Sequence, residues 1–322
     1  MSKNTENLYD AVIIGGGAAG LSAAQTLSRA RRSVAVIDSG EPRNAPAEGV
    51  HAFITRDGIN PLELLRIARA EAEGYGAVIV PGRVAEASGS EGAFTITLDD
   101  GTRVSGRRLL VATGLRDDLP AIPGVQELWG RDVLHCPFCH GWEVRDQAIG
   151  IIGAGPVSIH QALLFRQWSS NITLFLNDLA TPSEEELEQL AARGIRIVEG
   201  AIEELRIQDG RLRGVALASG EVAADALVVG PKVHARLDRL SGLGLAAAPH
   251  PSGMGDYLEA DESGATAVPG IWAAGSVTDI KAQVLPAAAG GTWAAVNLNN
   301  SLMAEELAAD VAAYRESAAT RV

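Results

Sequence analysis

Apolar residues in this chain fall into short runs separated by glycine clusters and Ala-rich stretches, and the whole arrangement occurs twice. From Tyr9 the segment YDAVIIGGGAAGLSAAQTLSRARRSVAVIDSG gives an apolar run, three glycines, an Ala-rich stretch and a second apolar run ending at Asp38. This pattern predicts strand, tight turn, helix and strand, a βαβ unit. The plan returns in QAIGIIGAGPVSIHQALLFRQWSSNITLFLND, with Gly153 and Gly155 at the turn and a second strand over residues 172–176. Each unit is followed by alternating apolar and polar positions broken by DDG, QDG or SGE turn signals, which predict a β-meander leading to a final apolar strand. The last part, GIWAAGSVTDIKAQVLPAAAGG, predicts a strand, a glycine turn and an Ala-rich helix. The chain is an internal duplication of α/β type.

Position gives the glycines their meaning. Gly15, Gly17 and Gly20 form G-x-G-x-x-G between strand and helix. There a tight turn, close backbone approach and helix packing all require a missing side chain. A helix N-terminus at such a turn favours a pyrophosphate, and Asp38 falls where a carboxylate meets a ribose hydroxyl. Two Rossmann-like dinucleotide-binding domains are therefore expected. Turn formers in TGLRDDLPAIPG place one boundary within residues 114–123, and a second crossing is expected within residues 230–240.

Charge narrows the partners. Forty acidic against 27 basic residues leave a net charge of −13, which opposes nucleic acid. The first ten residues are polar, and no apolar run approaches the length of a membrane span, so a cytoplasmic protein away from membranes is expected.

The only two cysteines, Cys136 and Cys139, lie in VLHCPFCHGWEVRDQ. C-x-x-C at a helix start lets two sulfurs close a small ring, with the helix end favouring a thiolate. Zinc is the rival reading, because His135, Cys136, Cys139 and His140 all bear ligand atoms. Ligands so close in sequence do not readily surround one tetrahedral ion, and no further cysteine supplies a second pair, so no metal is expected. A purely structural disulfide is the other alternative, but so short a loop constrains the unfolded chain little.

With these motifs in order, the sequence resembles the low-molecular-weight thioredoxin reductase family from Tyr9 to about Leu302. The motifs are G-x-G-x-x-G, the Ala112-Thr113-Gly114 turn, C-x-x-C, the second G-x-G, Gly275-Ser276 and Gln283-Val284. The resemblance implies a homodimeric flavoprotein with FAD on a split first domain, residues 1–116 and 238–322. An inserted pyridine-nucleotide-type domain, residues 117–237, would carry the dithiol. It also implies cofactor contacts from Gly15, Gly17, Gly20, Asp38, Ala112, Thr113, Gly114, Gly275, Ser276, Gln283 and Val284.

Departures from that family refine the expectation. His140 follows Cys139 where thioredoxin reductases have Asp-Gly, and HAFITRDG stands at residues 51–58. Both are similar to the branch of small-molecule dithiol oxidases that close disulfides in gliotoxin and holomycin biosynthesis. NADPH-using relatives carry a basic cluster after the second strand of the inserted domain, because a 2′-phosphate needs cationic partners. Here that stretch reads LFLNDLATPSEEE, so NADPH should bind poorly. Asp178 leaves NADH open, while Pro156 and Ser158 weigh against it. Ser276 replaces the family's Asp beside Gly275, which lowers FAD affinity by ~1 kcal/mol without abolishing binding.

The expected activity is oxidation of a small dithiol to a disulfide, with FAD and O2 as electron acceptors. Cys136 takes the mixed disulfide, Cys139 faces the flavin, and His140 acts as general base and later acid. The alternatives are a thioredoxin reductase-like enzyme fed by NADH or another donor, and a non-catalytic flavin-binding relative. His135 and His51 are further candidates for assisting or contacting substrate. Of the tryptophans, only Trp142 lies close enough in sequence to line the dithiol pocket, while Glu143 and Arg145 define no pocket from the sequence.

Overall fold

The structure, a computed structural model, describes residues 4–155 and 157–320. Along the chain come β1 (Asn4–Ile14), α1 (Ala18–Arg29), β2 (Val34–Asp38), α2 (Pro61–Gly74), β3 (Val78–Pro81), β4 (Val84–Ser90), β5 (Ala93–Leu98) and β6 (Arg103–Val111). Next are β7 (Leu115–Asp118), α3 (Val125–Leu128), β8 (Val133–Leu134), α4 (Pro137–His140), β9 (Ile149–Ile152), α5 (Val157–Phe165) and β10 (Ile172–Phe175). They lead into α6 (Glu184–Ala192), β11 (Arg196–Val198), β12 (Ile202–Gln208), β13 (Arg211–Leu217), β14 (Gly220–Ala223), β15 (Ala226–Val228) and β16 (Lys232–Ala235). The chain closes with β17 (Ala247–Pro249), β18 (Asp256–Leu258), β19 (Ile271–Ala273) and α7 (Val284–Ala319).

These elements form two compact units. One holds the residues up to Arg43, Leu62–Arg116 and the chain from His234 onward. The other holds Asn44–Pro61 and Asp117–Val233. The crossings fall after Arg116 and Val233, and the excursion Asn44–Pro61 leaves the first unit's sequence to group with the second.

The first unit is built on a sheet of order β3-β2-β1-β6-β5-β4, with β19 also paired to β6. Strands β1, β2, β3, β6 and β19 run parallel, and β4 and β5 form the antiparallel meander read from the DDG turn. Because helices cover the parallel strands, successive residues Ala11, Val12, Ile13 and Ile14 are all buried. Alternate residues Ala11 and Ile13 join Ala23, Ala24 and Leu27 of α1 and Ala294, Ala295 and Leu298 of α7 in one apolar core. Small residues let the two helices approach closely. A Cβ on Gly291 would lie 2.0 Å from the Ala19 carbonyl oxygen. Beyond this contact, Arg108 of β6, almost fully buried, ties α7 to the sheet through Glu305 at 2.6 Å and Ser301 at 3.1 Å.

The second unit has a fully parallel sheet of order β11-β10-β9-β15-β8. One face packs α5 and α6 through Ile159, Phe165 and Leu190, and the other packs the β12-β13-β14 meander through Leu205, Leu212 and Val215. The two-domain Rossmann-like α/β fold expected from the duplication is what the structure shows. Among the described residues no helix is long and apolar enough to cross a membrane.

The α1–α7 contact makes a simple prediction. Gly291→Ala should destabilise the protein by about 1–3 kcal/mol through overpacking, read as a lower Tm in thermal unfolding. An unchanged Tm would contradict the close approach.

Candidate active site

The nucleotide-type cradle of the first unit starts where β1 ends. Gly15 has φ +110°, and a Cβ there would lie 2.3 Å from the Ala112 carbonyl oxygen. A Cβ on Gly20 would lie 1.9 Å from the Gly15 carbonyl oxygen. The turn is thus pressed against the Ala112-Thr113-Gly114 loop behind it and against α1 below it. Gly17 is the opposite case, with no atom within 4 Å of its would-be Cβ. It is also the N-cap of α1 and offers no side-chain cap, so the first N–H groups of that helix stand open to an anion.

Other expected cofactor residues meet at the same end of the sheet. A Cβ on Gly114 would come 3.6 Å from Ser276 Oγ, and one on Gly275 would press 2.8 Å from the Ala19 Cβ. Gln283 is the N-cap of α7 and Val284 its first residue. Thr113 Oγ1 is buried without a hydrogen-bond partner among the described residues, a cost normally met by a ligand or water. Asp38, at the end of β2, accepts the Gly16 N–H at 3.2 Å and pairs with Arg69 of α2 at 2.7 Å. Gly16 and Arg69 did not emerge from the sequence. A Cβ on Gly16 would lie 2.6 Å from Asp38 Cγ, so this glycine lets the carboxylate approach the turn. An open glycine turn, an orphaned hydroxyl and a terminal carboxylate together fit a dinucleotide cofactor.

The second unit repeats the strand–glycine–helix plan with a different outcome. A Cβ on Gly153 would meet the Leu176 carbonyl oxygen at 2.2 Å, so the turn is equally tight. The buried Ser158 hydroxyl accepts the Ala154 N–H at 3.0 Å and donates to the Ile152 carbonyl at 3.2 Å. A backbone donor of this turn is thereby committed inside the protein. Past β10, Asp178 is exposed, and the first turn of α6 carries exposed Glu184 and Glu185 and half-buried Glu186, with a Ser183–Glu186 capping box. No Lys or Arg occurs from Gln167 to Ala192. Pro156 lies outside the described residues.

The dithiol also belongs to the second unit. Cys136 is the N-cap of α4 and Pro137 its first residue; the Cys139 and His140 N–H groups both donate to the Cys136 carbonyl at 3.2 Å. Both cysteines are half-buried. The expected helix start is a single turn, so one hydrogen-bonded loop rather than a long helix dipole holds the motif. Gly141 is its C-cap, and only glycine fits there, because a Cβ would lie 2.5 Å from the Pro137 carbonyl oxygen and 2.8 Å from Trp168. Phe138, between the cysteines, stands edge-on to Trp168 with ring centres 5.7 Å apart. Trp142 is exposed and lies under the Arg145 guanidinium at 4.3 Å.

Three histidines surround this turn. His135 Nδ1 lies 3.1 Å from the Val229 carbonyl, so that nitrogen carries the proton. His51, on the Asn44–Pro61 excursion, lies between two carboxylates: Nδ1 is 3.5 Å from Asp57 and Nε2 is 3.4 Å from Glu143. Burial pushes the His140 imidazole below its ordinary value of 6.5; the nearby Glu143 charge opposes this, and His51 and His135 add to it. The contact of Glu143 with His51 was not legible in the sequence: the pairing is set by a segment about ninety residues upstream, which local periodicity cannot reveal.

Two dinucleotide-type α/β units, one with an open glycine cradle and one with a dithiol turn, define a disulfide oxidoreductase of flavoprotein fold. The chain belongs to the pyridine nucleotide-disulphide oxidoreductase family, whose model matches residues 9–292. The thioredoxin reductase tcpT of Claviceps purpurea is 32% identical over 289 residues, covering 84% of this chain and 87% of the relative. A probable thioredoxin reductase of Arthroderma benhamiae is 37% identical over 155 residues, 46% of this chain; the match spans only 38% of that relative's length. The crystal structure of HlmI superposes with TM-score 0.90 at 43% identity, covering 98% of this chain and 99% of that one. The likeness to thioredoxin reductase-type flavoproteins is borne out over almost the whole chain.

The environment of His140 predicts its titration. Since burial disfavours the imidazolium, the ring should titrate below 6.5 by NMR, and a midpoint above 6.5 would refute the assignment. A lowered folded value also means that His140 adds stability above its unfolded pKa, lost as pH falls through the folded one. Acidification below pH 6.5 should therefore destabilise the wild type more than His140→Asn.

Proposed function

We propose that this protein is an FAD-dependent dithiol oxidase that closes a disulfide in a small molecule and passes the electrons to O2. The observation that carries the reading is the pairing of a tight C-x-x-C turn with a half-buried histidine directly after it, in a unit whose own nucleotide turn is internally committed. The 43% identity with HlmI supports the same branch. A homodimeric, cytoplasmic protein goes with this reading.

The residues divide the work as follows. His140 takes the proton of an incoming thiol, and the resulting thiolate attacks Cys136 Sγ. A substrate–Cys136 disulfide forms, the Cys136–Cys139 bond breaks, and its electron pair leaves on Cys139. His140 passes that proton to solvent and takes the proton of the second substrate thiol, whose thiolate attacks the mixed disulfide and releases the cyclised or oxidised product and a Cys136 thiolate. Gly15, Gly17, Gly20, Thr113, Gly114, Gly275 and Ser276 would hold FAD, with Asp38 toward its ribose. When bound, FAD supplies the two-electron sink that reoxidises the dithiol and hands the pair to O2, giving hydrogen peroxide. Ser276 contributes a hydroxyl where a carboxylate is usual, so its hydrogen bond carries no charge.

A second reading is a reductase driven by NADH, in the direction of the relatives named thioredoxin reductase. Asp178, exposed three residues past β10, favours it, because a carboxylate in that region of a dinucleotide-type unit can accept from ribose hydroxyls. An anaerobic titration separates the two. Bleaching of the flavin by dithiothreitol alone, with peroxide on admitting air, is the expected result; bleaching by NADH alone sinks the oxidase.

Cys136→Ser should abolish turnover, and retention of every activity would favour a non-catalytic flavin-binding relative instead. His140→Ala should lower kcat by about a hundredfold or more, measured as peroxide release.

A further inference from the structure

Helix α7 carries apolar residues on two opposite faces. Gly291, Ala294, Ala295, Leu298 and Leu302 are buried toward α1 and the sheet. Six large apolar residues of the same helix are exposed instead: Leu285, Trp293, Met303, Leu307, Val311 and Tyr314. At about 3.6 residues per turn all six fall within an arc of roughly 80°, centred opposite the buried set, and run for roughly 44 Å along the axis. Leu307 is 60% exposed and Tyr314 74%. Apolar residues scattered singly over a surface need no explanation, but a continuous stripe marks an interaction site.

The C-terminal part of the helix has little in its own chain to pack against. Glu305 pairs with Arg107 and Arg108, and Glu306 with Arg32 and Arg107, on the side away from the stripe. Beyond them every residue from Leu307 to Ala319 is exposed. A helical overhang of that length draws most of its stability from packing an apolar face.

At its other end the stripe borders a cavity of about 260 Å³, lined in part by Asp261, Glu262, Asp279, Pro286, Gly290 and Trp293. Trp293 is a fixed wall, because its indole N–H donates to the Glu262 carbonyl at 3.0 Å. Asp261, Glu262 and Asp279 are all exposed. Helix α7 has one basic residue, Arg315, and it stands next to Tyr314 at the far end of the stripe. The acidic cavity and the Tyr314–Arg315 end are therefore complementary, and one chain carries both.

A two-fold axis near Asn300, at the middle of the stripe, brings each end of one copy onto the opposite end of a second copy. Leu307 of one copy then opposes Trp293 of the other, Val311 opposes Ala289, and Tyr314 and Arg315 arrive beside Leu285 and Pro286 at the cavity. On the helical wheel Arg315 and the cavity-lining residues flank the stripe on the same side, a relation that the two-fold axis preserves. Such a self-complementary patch is what a closed dimer requires.

We propose that the outer face of α7 is a homodimer interface, where two copies pack antiparallel and Tyr314 and Arg315 of each close the acidic cavity of the other. The proposal rests on the dithiol-oxidase reading only for the homodimer that goes with it; the surface is argued from α7 and uses none of the sulfur chemistry.

Analytical ultracentrifugation of the full-length holoprotein tests it. The wild type should sediment as a dimer. Leu307→Glu combined with Tyr314→Glu should give monomers with the circular dichroism spectrum retained, since both side chains are exposed within one copy. Arg315→Glu and Glu262→Arg should each weaken the dimer about tenfold or more, and together should recover most of the loss, because opposite charges again face each other. Asn300→Cys, introduced into protein carrying Cys136→Ser and Cys139→Ser, should cross-link to its own copy under mild oxidation. A dimer that survives Leu307→Glu with Tyr314→Glu overturns the proposal and leaves a homodimer through another face. Charge variants that fail to rescue each other overturn it as well, and a monomeric wild type removes both the surface and the homodimer. Bleaching of the flavin by dithiothreitol is read separately, so the oxidase reading can fall while the dimer surface stands.

Discussion

The chemistry of this protein depends on one turn of backbone. Cys136 caps that turn, and its carbonyl takes both the Cys139 and the His140 N–H, so the two sulfur-bearing residues and the histidine that follows them share one hydrogen-bonded loop. A disulfide between residues so close stabilises the fold little, since the loop it closes is short. What the spacing provides is reversibility. Gly141 then turns the chain where no side chain fits against Trp168, which fixes where Trp142 and Glu143 begin.

The duplicated fold shows how the same supersecondary plan is kept open in one copy and closed in the other. Both turns need glycine for the same reason, contact of a would-be Cβ with a neighbouring carbonyl at about 2 Å. The difference lies in what surrounds the turn. In the first copy Gly17 looks onto open space and α1 has no side-chain cap. In the second, Ser158 uses its hydroxyl both to accept from the turn and to donate to β9. A hydroxyl satisfied on both sides has little reason to yield to a phosphate, because breaking the arrangement leaves a buried group unpaired. The acidic stretch after β10 acts in the same direction on any phosphate that approaches.

Periodicity made the scaffold legible because it reports burial, and burial in a covered parallel sheet is continuous over each strand. The runs AVII, VAVI, IGII and ITLF became β1, β2, β9 and β10, and the turn signals marked both meanders. The glycine fingerprint and the C-x-x-C were legible because backbone geometry demands particular residues there. Tertiary contacts were not. Nothing in NAPAEGVHAFITRDG announces that it groups with a unit whose other residues begin at Asp117, yet this grouping puts His51 against Glu143. Arg69 on the amphipathic α2 reads as a solvated charge until the structure pairs it with Asp38. The helical run after Leu302 continues to Ala319, beyond the reach of the motif-bearing resemblance.

The burial of His140 bears on the direction in which the dithiol turn works best. Oxidising two thiols to a disulfide releases two protons along with two electrons, so the protein side of the reaction must accept protons at each sulfur step. A free thiol has a pKa of about 8.5 and a buried imidazole lies below its ordinary 6.5, so transfer from one to the other is uphill. On the dithiol-oxidase reading the cost stays small, because attack on Cys136 would consume the thiolate as it forms. A neutral imidazole at neutral pH is also ready to accept at once, whereas a protonated one would first have to lose a proton to solvent. Running in reverse, the same ring would have to arrive charged, against the desolvation that burial imposes. The carboxylate of Glu143 opposes that desolvation without cancelling it, so the ring is held toward its neutral form, available to accept a proton though a weaker acceptor than a free imidazole.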